Sequence, residues 1–247
     1  MTDSGICTFT GHTILCGWNE HAQQVLTELE AAGRQVAVIT GRRPAELDNS
    51  RAFFVAGDPS SDEALKRAGV MSAASAIILA ENALTLAPDL VDSHSILTAL
   101  AVESLNRGAY TILEVLNPDN ALHARHAHVD DIIFCNKVLA EIAASCSGQK
   151  GLAAVWNDIL CHSDSGSALR TEEVGASWQG RSIGELFSAK EAEGKLPLGY
   201  IRIEDSAVSH SVNPPRSETI RLPMAVVLIS RNQEPAQLDR AFQGPDA

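Results

Sequence analysis

The run Gly11-His-Thr-Ile-Leu-Cys-Gly-Trp-Asn-Glu-His-Ala22, continued by Gln-Gln-Val-Leu-Thr-Glu-Leu and then by Gln35-Val-Ala-Val-Ile-Thr40, reads as strand, tight turn, helix and second strand. Apolar residues 13–16 lead into a helix with Asn19 as its expected cap. Ala22, Val25, Leu26 and Leu29 form its core face and Gly33 its stop. A dinucleotide fingerprint places glycines where Gly17, Asn19 and Ala22 stand, and an acid at the end of the second strand. Gly17 serves the turn, and Ala22 is small enough for close helix packing. Asn19 carries a Cβ that crowds the approach of a pyrophosphate, and Thr40 stands where a carboxylate would hold a ribose 2′-hydroxyl. The fold signal is strong and the ordinary cofactor signal weak. That mismatch points to a sensor built on an enzyme-like fold.

Working outward, strand and helix patterns alternate through about the first 150 residues. Further apolar runs cover 52–56, 76–80, 110–115 and 131–134, with helices expected over 62–68, 89–106 and 118–127. Ser60-x-x-Glu63 has the spacing of a capping box. Six short strands joined by helices predict a Rossmann-like, doubly wound parallel sheet, because parallel neighbours need such crossovers. Two helical stretches follow, 138–146 and 152–161. Their apolar positions, among them Leu139, Ile142, Leu152, Val155, Trp156 and Ile159, exceed what one sheet face needs, and a dimerisation arm is the expectation. After a polar joint at 163–167 the pattern changes to β runs at 198–203, 207–212 and 224–229 with one helix at 182–187, a small α+β lobe. The expected division is 1–136, 137–164 and 165–247, with a frayed end at 240–247.

Composition sets the outer limits. The chain of 247 residues is 45% hydrophobic with a formal net charge of −12, an ordinary globular balance. Such a charge repels nucleic acid and anionic membrane surfaces, and no nucleic-acid partner is expected. The five cysteines (Cys7, Cys16, Cys135, Cys146 and Cys161) contain no C-x-x-C pair and fit a reducing, cytosolic setting. Cys16 and Cys135 end apolar strand-like runs and read there as small hydrophobes. No cleavable signal is visible and no apolar run approaches a membrane span, so a soluble piece is expected.

The order of parts resembles an RCK module, the regulator of potassium conductance of prokaryotic channels and transporters. The resemblance rests on Gly17-Trp-Asn-Glu, Gly57-Asp58-Pro59, Glu114, Asn117-Pro-Asp-Asn120, the helix pair, and on Gly180-Arg-Ser-Ile-Gly-Glu-Leu186 and Val212-Asn-Pro-Pro215. The stretch Gln149-Lys-Gly-Leu-Ala-Ala-Val-Trp-Asn-Asp-Ile-Leu160 is similar to the crossover helix of channel-type members. The resemblance implies a cytoplasmic, ligand-sensing domain that pairs into homodimers and then into a gating ring pulling on a potassium-channel pore. The pore is either on the same chain or on a partner. It also marks departures: nucleotide-binding members keep glycine and acid where Asn19 and Thr40 stand. Calcium-gated members carry three acids where this chain has Ala80, Glu114 and Leu116.

Ligands of open α/β sheets sit outside the carboxyl ends of the strands. That rule gathers Gly17, Trp18, Asn19, Thr40, Arg42, Arg43, Asp58, Glu81, Asn82 and Glu114 around one cleft. Arg42 and Arg43 either clamp a phosphate or stand solvated; Asp58 either accepts from an adenine amino group or caps the turn before Pro59. Glu81 and Glu114 are the candidate cation ligands. An adenine nucleotide and a divalent cation therefore both remain open. His123 and His126 share a helix face but His128 falls off it, which disfavours a zinc site. No nucleophile elbow, H-E-x-x-H or P-loop appears, and Asp92-Ser93-His94 cannot form a triad because helix neighbours point apart. A non-enzymatic role is expected, with an NADP-dependent oxidoreductase as the alternative because Arg42 and Arg43 follow the second strand.

Overall fold

The computed structural model describes residues 5–160, 167–204 and 207–231. They form two compact units that meet between Ala140 and Glu141.

The first unit carries six parallel strands: β1 (Thr13–Cys16), β2 (Val36–Thr40), β3 (Phe53–Ala56), β4 (Ser75–Ile78), β5 (Tyr110–Glu114) and β6 (Asp131–Ile133). Their spatial order is β3-β2-β1-β4-β5-β6. The chain leaves β1 toward β2 on one side and returns to place β4 on the other, so the switch point lies at the carboxyl end of β1. Cys16 is in register with Ile39 on β2 and with Ile78 on β4. Four of the five crossovers are the helices α1 (Ala22–Ala31), α2 (Asp62–Arg67), α3 (Pro88–Leu105) and α4 (Ala121–His126), and β2 reaches β3 through a short 3-10 helix at Ala45–Asn49. Successive strand residues serve opposite faces. Ile14, Cys16 and Ile39 pack in one cluster with Leu65, Ala99 and Val102, while Leu15 and Val38 pack in another with Leu26 and Leu47. Both faces are covered, as the continuous apolar strands require.

Two local expectations are corrected. α1 starts at Ala22 with His21 as its cap residue, and the Asn19 side chain accepts from the His21 N–H instead of capping the helix. α2 takes Ser61 as its cap residue with no side-chain cap bond, so the Ser60/Glu63 box does not form. Ser60 instead gives its amide and hydroxyl to Asp58 Oδ1, at 2.8 and 2.7 Å.

α5 (Cys135–Ser147) runs through the boundary of the two units and is followed by α6 (Leu152–Leu160). Neither helix buries a residue: Leu139, Val138, Val155 and Leu160 are exposed, and Ile142, Leu152, Trp156 and Ile159 are half-buried. Most of the expected joint at 163–167, Cys161 and the tail 240–247 lie outside the described residues.

The second unit holds an antiparallel sheet of β7 (Ser167–Glu173), β8 (Leu196–Glu204), β9 (Ala207–Val212) and β10 (Met224–Arg231), in the order β7-β10-β8-β9. β7 is a strand that the sequence pattern did not announce. α7 (Ile183–Ala192) packs Ile183, Leu186 and Phe187 with Tyr200, Ile220, Val226 and Leu228. It opens on a full capping box: Ser182 accepts from the Glu185 N–H while Glu185 accepts from the Ser182 N–H.

Candidate functional site at the carboxyl edge of the sheet

At the end of β1 the chain turns through Gly17 with φ +84°. A Cβ added there would lie 2.9 Å from the Leu79 carbonyl oxygen and 3.3 Å from Glu81 Cβ, so glycine is demanded both by the dihedral and by the close approach of the segment after β4. Two residues on, Asn19 reaches across that segment. Its Nδ2 donates to Glu114 Oε2 at 2.8 Å and to the Ala80 carbonyl at 3.4 Å, while its Oδ1 accepts the His21 N–H at 3.0 Å. The Ala80 N–H donates to the same Glu114 Oε2, at 2.9 Å. The residue that breaks the glycine fingerprint thus ties the ends of β1, β4 and β5 together. Beside this bridge Thr40 Oγ1 donates to Glu81 Oε1 at 2.5 Å. Thr40 and Glu81 share one contact, and Asn19 and Glu114 another.

Glu114 is buried, with 4% of its surface exposed. His21 Nε2 stands 3.9 Å from Glu114 Oε1, and the Cys135 thiol at the start of α5 completes the group. Ligand-capable atoms of His21, Glu114 and Cys135 all lie within 4.8 Å of one another. Burial pushes the Cys135 thiol up to about 12, and the Glu114 carboxylate adds to the rise both by its charge and by accepting a hydrogen bond from it. The Cys16 thiol is likewise raised to about 12 by burial and secondarily by Glu81. Cys16 is a core residue as expected, whereas Cys135 is a polar participant in the cleft. His21 and Cys135 both escaped the sequence reading.

This strand order and turn geometry coincide with a match of the TrkA-N domain family to residues 13–135. Residues 13–135 are a TrkA-N domain. The chain is homologous to potassium-channel RCK proteins. It is 26% identical over 145 residues to the calcium-gated potassium channel TvoK of Thermoplasma volcanium, covering 57% of this chain and 41% of the relative. It is 33% identical over 133 residues to the putative potassium channel protein YugO of Bacillus subtilis, covering 52% of this chain and 39% of the relative. It therefore spans about two-fifths of the length of these curated relatives. The human SLO3 gating ring aligns with a TM-score of 0.67 at 16% identity, over 89% of this chain and 44% of that one, which shows a shared fold.

Within the TrkA-N domain the other expected cleft residues are already engaged or stand open. Asp58 Oδ1 accepts from Ser60 and pairs with His94 Nε2 at 3.1 Å. Burial works to raise the Asp58 carboxyl, but the Ser60 amide and hydroxyl and the His94 ring outweigh it and hold it low. Asp58 thus makes the contacts of a turn cap. Arg43 stacks over Phe54, its guanidinium 5.4 Å from the ring centroid, and reaches the Leu47 carbonyl at 3.3 Å and Asp48 at 3.5 Å. Arg42 is exposed. Asn82 adopts a left-handed φ of 64° and accepts the Thr85 and Leu86 amides. Trp18 packs against the second apolar cluster of the sheet. Asp92 is fully buried and takes the Leu116 and Asn117 amides and the Asn120 side chain, so it builds the turn after β5. His123, His126 and His128 are exposed, and no group of potential metal ligands among the described residues includes them. A cavity of about 290 Å³ lined by Phe9, Glu30, Arg34 and Arg51 lies at the opposite edge of the sheet, near the start of β2, far from this chemistry.

Proposed function

We propose that the chain is the cytoplasmic, ligand-sensing regulatory part of a potassium channel or transporter, acting through a gating ring and not as an enzyme. The observation that carries this reading is the bridge of Asn19, Glu114 and Ala80 over the TrkA-N switch point. A nicotinamide enzyme needs a held pyrophosphate and a general acid or base aligned on a substrate. Here the middle-glycine position is filled by a side chain bonded to β5, and the carboxylates of the cleft are tied to the protein's own groups. Such an arrangement suits a ligand that changes which groups are bonded. It does not suit turnover. No helix among the described residues is long and apolar enough to cross a membrane, so a pore would come from elsewhere.

The exposed and half-buried apolar residues Leu139, Ile142, Leu152, Val155, Trp156 and Ile159 supply a pairing face on α5 and α6 for a homodimer. Among ligands, a divalent cation is favoured over an adenine nucleotide. Asp58 and Arg43 are already engaged and only the exposed Arg42 stays open to a phosphate, whereas Glu114 lies beside two further metal-capable side chains.

A thermal-shift panel of adenine nucleotides and divalent cations on the purified chain, run beside an assay for NADH and NADPH oxidation, tests the reading. A bound ligand raises the transition by mass action, about 2.7 kcal/mol at a hundredfold excess over Kd. Steady protein-dependent oxidation of either cofactor would overturn the regulatory reading in favour of an oxidoreductase.

A further inference from the structure

We propose that His21, Glu114 and Cys135 form a binding site for a borderline-soft divalent cation of the zinc and cobalt class. The binding stands on geometry alone; only its role as the sensed signal rests on the regulatory reading above. Three elements far apart in sequence deliver three different donors to one point: the β1–α1 turn brings an imidazole, β5 a carboxylate and the start of α5 a thiol. A four-coordinate ion with bonds of about 2.0 to 2.3 Å spaces its ligand atoms roughly 3.3 to 3.5 Å apart. The His21–Glu114 separation of 3.9 Å is too long for a hydrogen bond and close to that spacing. The three donor atoms lie within 4.8 Å of one another, and His21, whose side chain is 48% exposed, has room to draw in.

The carboxylate is held in advance. Glu114 Oε2 receives the Ala80 N–H and Asn19 Nδ2, which orients the group and leaves Oε1 beside His21. Metal-binding carboxylates are oriented by such hydrogen bonds. The donor set also selects the ion. Calcium takes six or more oxygens, and this point offers one carboxylate oxygen beside nitrogen and sulfur. Imidazole with thiolate suits zinc and its neighbours instead. On binding, the Cys135 thiol gives its proton to solvent and coordinates as thiolate, leaving a fourth position for water.

Cobalt(II) is the probe, used with the whole chain under reducing conditions and in a Cys146→Ser/Cys161→Ser background, which leaves the buried Cys7 and Cys16 beside Cys135. One equivalent is expected to give the intense visible bands of four-coordinate cobalt and a near-ultraviolet thiolate charge-transfer band, both abolished by zinc and untouched by calcium. Cys135→Ser should remove the charge-transfer band, and His21→Gln should weaken the apparent affinity by at least about tenfold. His21 is exposed, so its variant keeps the fold, and an unchanged urea midpoint without metal confirms that. Absence of the thiolate band, its persistence in Cys135→Ser, or displacement by calcium would each overturn the site. If cobalt finds no thiolate while another ligand stabilises the protein, the metal site falls and the regulatory reading stands. If cobalt binds as expected but zinc leaves an attached pore unaffected, the site stands and its signalling role falls.

Discussion

Removing the Glu114 side chain measures what the bridge over the switch point is worth. In Glu114→Ala the fully buried Ala80 N–H loses its acceptor, at a cost of about 1 to 3 kcal/mol for an unsatisfied buried donor. Asn19 Nδ2, only half-buried, recovers part of its lost bond from water and contributes about 0.5 to 1 kcal/mol. The one lost methylene adds about 0.8 kcal/mol. Relief from holding a buried carboxylate offsets some of this, and the net expectation is about 3 kcal/mol of destabilisation. Glu114→Gln keeps an oxygen that can accept from both donors; it loses the charge assistance and puts an amide nitrogen where a carboxylate oxygen stood beside the Cys135 thiol, together about 1 kcal/mol. Because the two units can unfold separately, the transition should be followed by Trp18 fluorescence in a Trp156→Phe/Trp178→Phe background. With a urea m-value of about 2 kcal/mol/M, the midpoint drops by about 1.5 M for alanine and about 0.5 M for glutamine. A loss below about 1 kcal/mol for alanine, or equal losses for the two variants, would refute the bridge as a structural tie.

Two further outcomes follow from the structure. His12 is buried, donates Nε2 to the Ala68 carbonyl at 2.8 Å and leaves Nδ1 without a partner, and burial holds its pKa below the ordinary value of about 6.5. The unfolded chain then binds the extra proton first, so stability is full above about pH 6.5 and falls as pH drops from there toward the lower folded-state value. His12→Gln should flatten the fall in urea midpoint between pH 7.5 and 5.5, and the paired comparison cancels the opposite slope from the raised carboxyls of Glu103 and Asp130. Trp156→Asp puts a charge on the proposed pairing face twice in a two-fold dimer and should shift sedimentation from dimer to monomer, with a monomeric wild type at high micromolar concentration refuting the face.

Much of the fold was legible because its determinants are local. Each strand of the parallel sheet is a short apolar run, and four of the five crossovers are helices with apolar residues at helical spacing; both signals survive without tertiary context. What escaped depends on distant partners. Asn19 reads as a helix cap because asparagine before a helix usually is one, yet here its amide finds the buried Glu114. β7 is Ser-Ala-Leu-Arg-Thr-Glu-Glu, poor in β-branched residues, and it exists as an edge strand because β10 pairs with it from Arg231 at one end to Ala225 at the other. The rule for strand ends gathers the candidate cleft residues, but it says nothing about which of them are already bonded to each other. His21 and Cys135 were missed because their meeting point is set by the placement of β6 beside β5, not by any spacing in the chain. Cys135 ending an apolar run carried the only available signal, since that position also lies at the carboxyl edge.

The departure at Asn19 acquires a physical meaning in this geometry. In a cofactor-binding fold the glycine there leaves the backbone open so that the ligand supplies the missing contacts. Asparagine supplies them internally, and the ends of β1, β4 and β5 are joined before any ligand arrives. A ligand can shift a conformational equilibrium only by its difference in affinity between two states. A cleft that is bonded to itself in one state offers such a difference: a cation at Glu114 Oε1 gains where the bridge holds the carboxylate in place and loses where the bridge is broken. A tenfold preference for the bridged state is about 1.4 kcal/mol per site, similar to one hydrogen bond of the bridge. In the proposed gating ring several such sites would multiply the preference. Under the proposed regulatory role, the residue that weakens the enzyme-like signature would be the one that equips the domain to respond.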